Sequence, residues 1–432
     1  IHRRYIVCTV VNILNLMKFR LTFCLVVLLN ISGFAQCNTE LKPYAVGFEK
    51  IEAGSFSFLD NTLQDVRILG YGEDTHGISE FTTLAEELMK YLTEKHGFKI
   101  FVIETGFGEG LYLNDYIQGK GGDLKTILNE HNSTWRYRTQ EFYQLMNWLK
   151  EYNHNNTDKI HLYGCEMQYV ISEVNRIRDY LKLVNSDYKI DGFEKHLWQS
   201  IEESEKVDYY ISYSKLKKHF FNNYETFKNK TSEAAFSLAY HHIEVIGQFV
   251  TAINQNVEQR KADFRDIYMG ENIQWILDFH GSQSKALYWA HNAHVGDWVD
   301  NGIVDVTGHQ LRKIYGSSYF NIATDFGIGE FIAFPADATK TNDWKLKTFK
   351  YDSVLENSFT NCLKQMGKPN SFLNIRKARE DKKLTAFLNS ALTTMSGAGA
   401  EARGAQTETK DLGKAFDGII YLDRTNKINW VK

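Results

Sequence analysis

The chain has 432 residues, of which 43% are hydrophobic and 24% charged, and a formal net charge of −3. Such a length and composition allow two or more compact units with sizeable cores, while the near-neutral charge offers no basic surface for nucleic acid or an anionic membrane. The 14% aromatic content fits core packing first and contacts to carbohydrate or another large ligand second.

The numbering opens on Ile1, and the first methionine is Met17. Residues 1–16 read as upstream translation. From Met17 the layout is that of a signal peptide: Lys18 and Arg20, an apolar run over 21–29, then Gly33 and Ala35 as the small residues of a cleavage site, so that 17–35 would be removed and the mature chain would begin near Gln36. The apolar run falls short of the ~20 residues a membrane-crossing helix needs. The expectation is therefore export to the periplasm or beyond, with no stable membrane span. Cys8 and Cys24 would leave with the leader, and Cys37, Cys165 and Cys362 are too few and too scattered for a disulfide framework.

Residues 41–65 are mixed and turn-rich. Residues 66–70 then form a short apolar run closed by Gly70 and Gly72, as expected of a buried strand. Glu73, Asp74 and His76 follow on what reads as an exposed turn. Phe81, Leu84, Leu88, Tyr91 and Leu92 next recur at helical spacing from about Ser79 to Lys95, where His96-Gly97 stops them. A second strand over 99–103 ends in Glu104, and this strand–helix–strand spacing suits a right-handed crossover between parallel strands. It would set Glu104 beside Glu73. Residues 111–117 read as helix and Gly119 to Gly122 as a loop. Trp135 and Arg136 precede a helix carrying Glu141, Leu145, Trp148 and Leu149, and the strand over 159–163 ends in Gly164-Cys165-Glu166.

From 172 to about 279 the pattern is helical only, with joints expected at 185–189 and 222–231 and a last helix beginning near Arg265-Asp266. Residues 285–290 return to strand and end in His291-Asn292-Ala293-His294; 319–324 and 418–422 are strand-like, and the small-residue stretch 396–404 reads as a mobile loop. The organisation predicted is an α/β core over 36–170 and 281–432, with a mainly parallel sheet flanked by helices, interrupted by a helical insertion over 171–280.

Four strand ends thus carry ionisable groups: Glu73 with His76, Glu104, Glu166, and His291 with His294. Singly, each has a plain structural reading. Glu73 or Asp74 would cap the helix from Ser79, Glu80 would pair with His76 across one helical turn, and Glu166 would be a turn residue. Together they predict a site, because a parallel sheet brings its carboxyl ends to one edge, where ligands bind. Histidine can take a proton from water, and carboxylates fix its tautomer and balance its charge. Metal binding is the rival chemistry, but no His-Glu-x-x-His spacing occurs, and there is no Gly-x-Ser-x-Gly elbow of a serine hydrolase. No metal and no cofactor are expected.

Gly72-Glu73-Asp74-Thr75-His76-Gly77 with Glu80-Phe81, then Glu104, Trp135 with the Trp148 helix, Arg265-Asp266 with Met269 and Glu271-Asn272, Trp289-Ala290-His291-Asn292-Ala293-His294, Gly308-His309-Gln310-Leu311 and Phe416-Asp417-Gly418 together resemble the erythromycin esterase family, which also includes proteins of succinoglycan biosynthesis. The resemblance spans 68–422. It implies an α/β fold with a helical insertion and hydrolysis of a macrolactone ester, with His76 as general base, Glu73 and Glu104 around it, and Arg265, His291 and His294 completing the site. In that reading Arg265 and His291 polarise the carbonyl, and His294, Trp135, Glu80 and Glu166 contact substrate. Gly270 and Glu166 depart from the alanine and aspartate expected there. The expected partner is a small-molecule or glycan ester; an acylated polysaccharide, or a ligand or metal bound without turnover, are the alternatives.

Overall fold

The computed structural model describes residues 40–193, 201–255, 258–300, 304–336, 345–390, 392–395, 401–402 and 407–431. The proposed leader, residues 1–16 and most of the 396–404 stretch lie outside the described residues. Within them no helix is long and apolar enough to cross a membrane.

The strands in chain order are β1 (Ala45–Phe48), β2 (Ile68–Glu73), β3 (Ile100–Gly106), β4 (His161–Glu166), β5 (Ala286–His291), β6 (Val299–Asp300), β7 (Val304–Asp305), β8 (Tyr319–Pro335), β9 (Lys347–Tyr351), β10 (Asn370–Asn374), β11 (Leu392–Met395), β12 (Glu401–Ala402), β13 (Thr407–Lys410) and β14 (Gly418–Thr425). The main sheet runs β1-β10-β14-β8-β2-β5-β3-β4. From β14 to β4 every pairing is parallel, whereas β1 and β10 add an antiparallel edge. The α/β, mainly parallel architecture is therefore as expected. The neighbour relation is not: β5 lies between β2 and β3, which sets His291 directly opposite Glu73 in register and between it and Glu104.

The central strands are buried on both faces, as parallel strands covered by helices must be. Leu69, Tyr71, Leu287 and Trp289 point into one core beneath the helices Ser79–His96 and Gln140–Asn155. Ile68, Ala286, Tyr288 and Ala290 point into the other, where Val174, Ile177, Ile246, Phe249, Ile273 and Ile276 of the helical insertion meet them. That insertion comprises Ile171–Leu183, Lys206–Asn222, Tyr224–Lys230, Glu233–Ile253 and Glu258–His280. Asn185, at φ 51°, makes the first expected joint. The second, 222–231, is instead mostly the helix Tyr224–Lys230, and the last helix starts at Glu258, which puts Arg265 within it rather than at its start.

The strands also run past the glycines that were read as their ends. Gly70, Gly72 and Gly164 lie inside β2 and β4. They admit close neighbours: a Cβ on Gly72 would fall 2.4 Å from Asn292 Oδ1, and one on Gly70 2.6 Å from the Tyr319 hydroxyl. Glycine within a strand marks such approaches as well as turns. As a result Glu73, Glu104 and Glu166 belong to the strands themselves and share their rigidity.

Candidate active site

The turn that carries His76 follows β2. Its Asp74 N–H donates to Thr324 Oγ1 at 3.0 Å, and Gly77 accepts at its carbonyl from Ile332 N–H and Ile428 N–H at 3.2 and 3.1 Å. Only glycine fits at 77, since a Cβ there would lie 1.9 Å from the Ile332 carbonyl oxygen. His76 is thus held on both sides. Nδ1 meets Glu73 Oε1 at 2.5 Å, and a carboxylate that accepts there leaves Nε2 as the nitrogen carrying the lone pair. Contrary to the expected exposed turn, His76 is buried, at 9% exposure, with Glu73, Trp135, Arg136 and His291 against its ring.

Arg136 faces that lone pair. It arrives on the short 3-10 helix Asn132–Tyr137, and its Nη1 lies 3.1 Å from His76 Nε2 and 3.2 Å from Glu104 Oε1, while Nη2 donates to the Glu104 carbonyl. Glu104 is also bonded by Arg265 Nη2 at 2.7 Å and by the His291 backbone N–H at 2.9 Å. Burial alone would raise its carboxyl, but the charges of Arg136, His294 and Arg265 override that and hold it well below the usual carboxylate range.

Arg265 is spent on its neighbours. Nη2 and Nε grip the two oxygens of Glu166 at 2.6 and 3.3 Å, and Nη1 lies 2.8 Å from His294 Nε2. His294 Nδ1 in turn meets Asp266 Oδ1 at 2.8 Å. Burial disfavours the charged ring, yet Asp266 outweighs it and the His294 pKa rises; that of Asp266 falls despite its own burial. His291 accepts the Ala293 N–H at Nδ1 (3.2 Å), and its Nε2 reaches the Asp74 carbonyl at 3.0 Å, which assigns the ring proton to Nε2.

Glu73, His76, Glu104, Glu166, Arg265, His291 and His294 therefore converge at one sheet edge, with the His76 and His291 ring centroids 5.7 Å apart. Trp135 stands edge-on to His76 at 6.3 Å and against Phe334 at 5.3 Å. Glu80 does not join them: both its oxygens accept from Asn426, on its backbone N–H and its amide. Residues 426–431 go on to bridge two parts of the site. Ser79 N–H bonds the Asn426 carbonyl, Gln140 N–H the Asn429 carbonyl, and Val431 N–H the Arg138 carbonyl, so the segment links the His76 turn to the Arg136 turn.

Sequence reasoning missed Arg136, Asp266, Phe334 and Glu109 as site components. Arg136 carried a signal, a cation between aromatic residues just before a helix; Phe334 carried none, since β8 was expected to end at 324. Glu109, 1% exposed in the first turn after β3, is pushed up to about 8 by burial and by the charges of Glu166 and Glu173.

A buried histidine–carboxylate pair among arginines at the carboxyl edge of a parallel sheet defines an α/β protein built for polar chemistry. The erythromycin esterase profile matches residues 93–425, and the chain belongs to the erythromycin esterase family. It is 23% identical to erythromycin esterase type II of Escherichia coli over 89% of this chain and 96% of that protein, and 22% identical to the putative hydrolase YbfO of Bacillus subtilis strain 168 over 85% of each. Membership supports a hydrolase. Among solved structures, a Bacillus cereus protein superposes with a TM-score of 0.78 at 24% identity, covering 92% of this chain and 99% of its own. A mutant of the erythromycin esterase EreC in its open conformation gives 0.65 at 16% identity, covering 90% and 99%. These two likenesses concern the fold.

Proposed function

We propose that this protein is an exported hydrolase that cleaves a carboxylic ester, macrolactone-like in kind, with His76 as general base. The observation that carries the reading is the 2.5 Å contact of Glu73 with His76 Nδ1, which fixes the tautomer that presents Nε2 to a water. Water adds to the carbonyl carbon as its proton passes to Nε2 and the carbonyl electron pair moves to oxygen. Collapse then expels the alcohol, which takes the proton from His76, leaving acid and alcohol. Glu73 balances the transient imidazolium. Glu104, Arg265, Glu166 and His294 form the charged wall that positions these groups, and Trp135 offers an aromatic surface beside the base.

A second reading keeps the chemistry and changes the substrate to an acylated carbohydrate. The half-buried Trp135 ring next to His76 favours it, since sugars stack on indole faces, and a structural neighbour with a TM-score of 0.78 at 20% identity is described as a succinoglycan biosynthesis protein. Export is supported by the Lys18/Arg20 leader pattern. The mechanism invokes no metal or cofactor. Two guanidinium groups already supply positive charge within the cluster, and among the described residues no three His, Cys, Asp or Glu side chains form a metal-holding set.

The test is a turnover panel of a macrolide, an acetylated oligosaccharide and 4-nitrophenyl acetate, run before and after chelation, with ligand-induced melting shifts in parallel. Turnover of the macrolide supports the first reading, and turnover of the oligosaccharide alone the second. Melting shifts without any turnover would mark a binding protein, and activity lost on chelation and restored by one stoichiometric metal would overturn metal independence.

A further inference from the structure

We infer that Arg136, rather than Arg265 or His291, is the catalytic cation that holds the developing oxyanion; this rests on the ester-hydrolase reading above. An oxyanion donor must be a buried N–H close to the atom that takes the proton from water, because the carbonyl carbon, the attacking oxygen and the base share one small space. Arg136 Nη1 meets that condition at 3.1 Å from His76 Nε2. All three guanidinium nitrogens of Arg265 are engaged by Glu104, Glu166 and His294, and both ring nitrogens of His291 are engaged by backbone groups. Neither turns an unspent nitrogen toward His76.

The position of Arg136 also explains how the base is unmasked. Its Nη1 donates to the lone pair that the mechanism needs. An entering ester offers a carbonyl oxygen as an alternative acceptor, so the N–H passes from Nε2 to that oxygen and frees Nε2 for the water proton in the same exchange. The rest of the guanidinium stays in place: Nη2 remains on the Glu104 carbonyl, Glu104 Oε1 lies 3.2 Å from Nη1, and Cζ sits 5.1 Å from the Tyr137 ring centroid. Among the described residues Nε is buried with no hydrogen-bond partner, so the group is anchored through Glu104 alone and the Nη1 N–H that faces Nε2 is the one able to change partners. When the intermediate collapses, the electron pair returns to the carbonyl, the alkoxide leaves with the His76 proton, and Nη1 returns to Nε2.

Arg136→Ala and Arg136→Lys decide this, measured with the turning-over ester of the panel and with 4-nitrophenyl methylphosphonate, whose anionic tetrahedral oxygens mimic the intermediate without needing turnover. Arg136→Ala is expected to lower kcat by ~10²–10³-fold, the range for losing an oxyanion donor, with KM changed only a few-fold and phosphonate affinity lost in proportion. Added guanidinium ion should restore part of kcat in Arg136→Ala and none in His76→Asn. If Arg136→Ala does not fold, Arg136→Lys carries the test, with at least a tenfold loss expected in both kcat and phosphonate affinity. Wild-type kcat and phosphonate affinity in a folded variant, or an effect confined to KM, would overturn the inference. A wild-type protein that binds the phosphonate through Arg136 but hydrolyses no ester would sink the functional reading and leave the anion-holding role intact.

Discussion

Gly110 and Gly164 meet backbone to backbone: a Cβ on Gly110 would stand 1.9 Å from the Gly164 nitrogen. The helix Phe107–Ile117 is thereby seated directly on β4. Gly110→Ala should push the two apart, at a cost of ~1–3 kcal/mol or somewhat more, as for other overpacked contacts. Because Glu104 precedes that helix and Glu166 ends β4, activity should fall along with stability. Urea unfolding and ester turnover of the variant check both, and a variant as stable as wild type would show the contact to be soft.

Glu73 and His76 should behave as one unit in turnover. His76→Asn is expected to lower kcat by roughly 10²–10⁴-fold, as for loss of a positioned base, and Glu73→Gln should act in the same direction. The double variant should lose far less than the two free energies added together. Simple additivity would show that Glu73 and His76 act separately.

Glu109 should leave a mark on stability against pH. Its folded pKa of about 8 lies above the ordinary 4.5, so between those values the folded protein holds a proton that the unfolded chain has lost, and stability falls as pH rises. His131 and His280, lowered to about 4 from 6.5 by burial, act the opposite way below 6.5. Glu109 is therefore separable from them between about 6.5 and 8. In that window wild type should lose melting temperature as pH rises; His294, whose pKa is raised, adds to the slope with the same sign, so Glu109→Gln should reduce the slope without abolishing it. An unchanged slope in the variant would contradict the assignment.

Asp417, almost fully buried, accepts from Arg312, Arg376 and Arg379 and from the Asn321 N–H. Asp417→Asn removes the one carboxylate shared by the three cations. Since the guanidinium groups keep some solvent contact, the loss should sit near the lower end of the ~3–5 kcal/mol that follows breaking a buried pair. Chemical denaturation measures it, and the ester kcat of the folded fraction should be unchanged.

What was legible in the sequence was whatever depends on local periodicity. The apolar runs at 66–70, 99–103, 159–163 and 285–290 located four parallel strands, and the acids and histidines just after them located the sheet edge. Strand order was not legible, because β5 enters between β2 and β3 by long-range pairing that no local pattern encodes. Gly72 and Gly164 read as stops in the sequence because a turn and a close approach call for the same residue. Arg136 reaches His76, and Phe334 reaches Trp135, from segments that are remote in sequence, and Glu80 lies on the right turn but is taken up by Asn426.

The bridge made by residues 426–431 bears on the order of events during synthesis. Every candidate catalytic side chain, from Glu73 to His294, leaves the ribosome before Asn426 does. Until Asn426, Ile428, Asn429 and Val431 follow, the turn bearing His76 and the turn bearing Arg136 lack the backbone bonds that tie them together. A nascent chain that has emerged only as far as Arg424 thus holds every candidate side chain but lacks the tie between those two turns, which residues 426–431 supply.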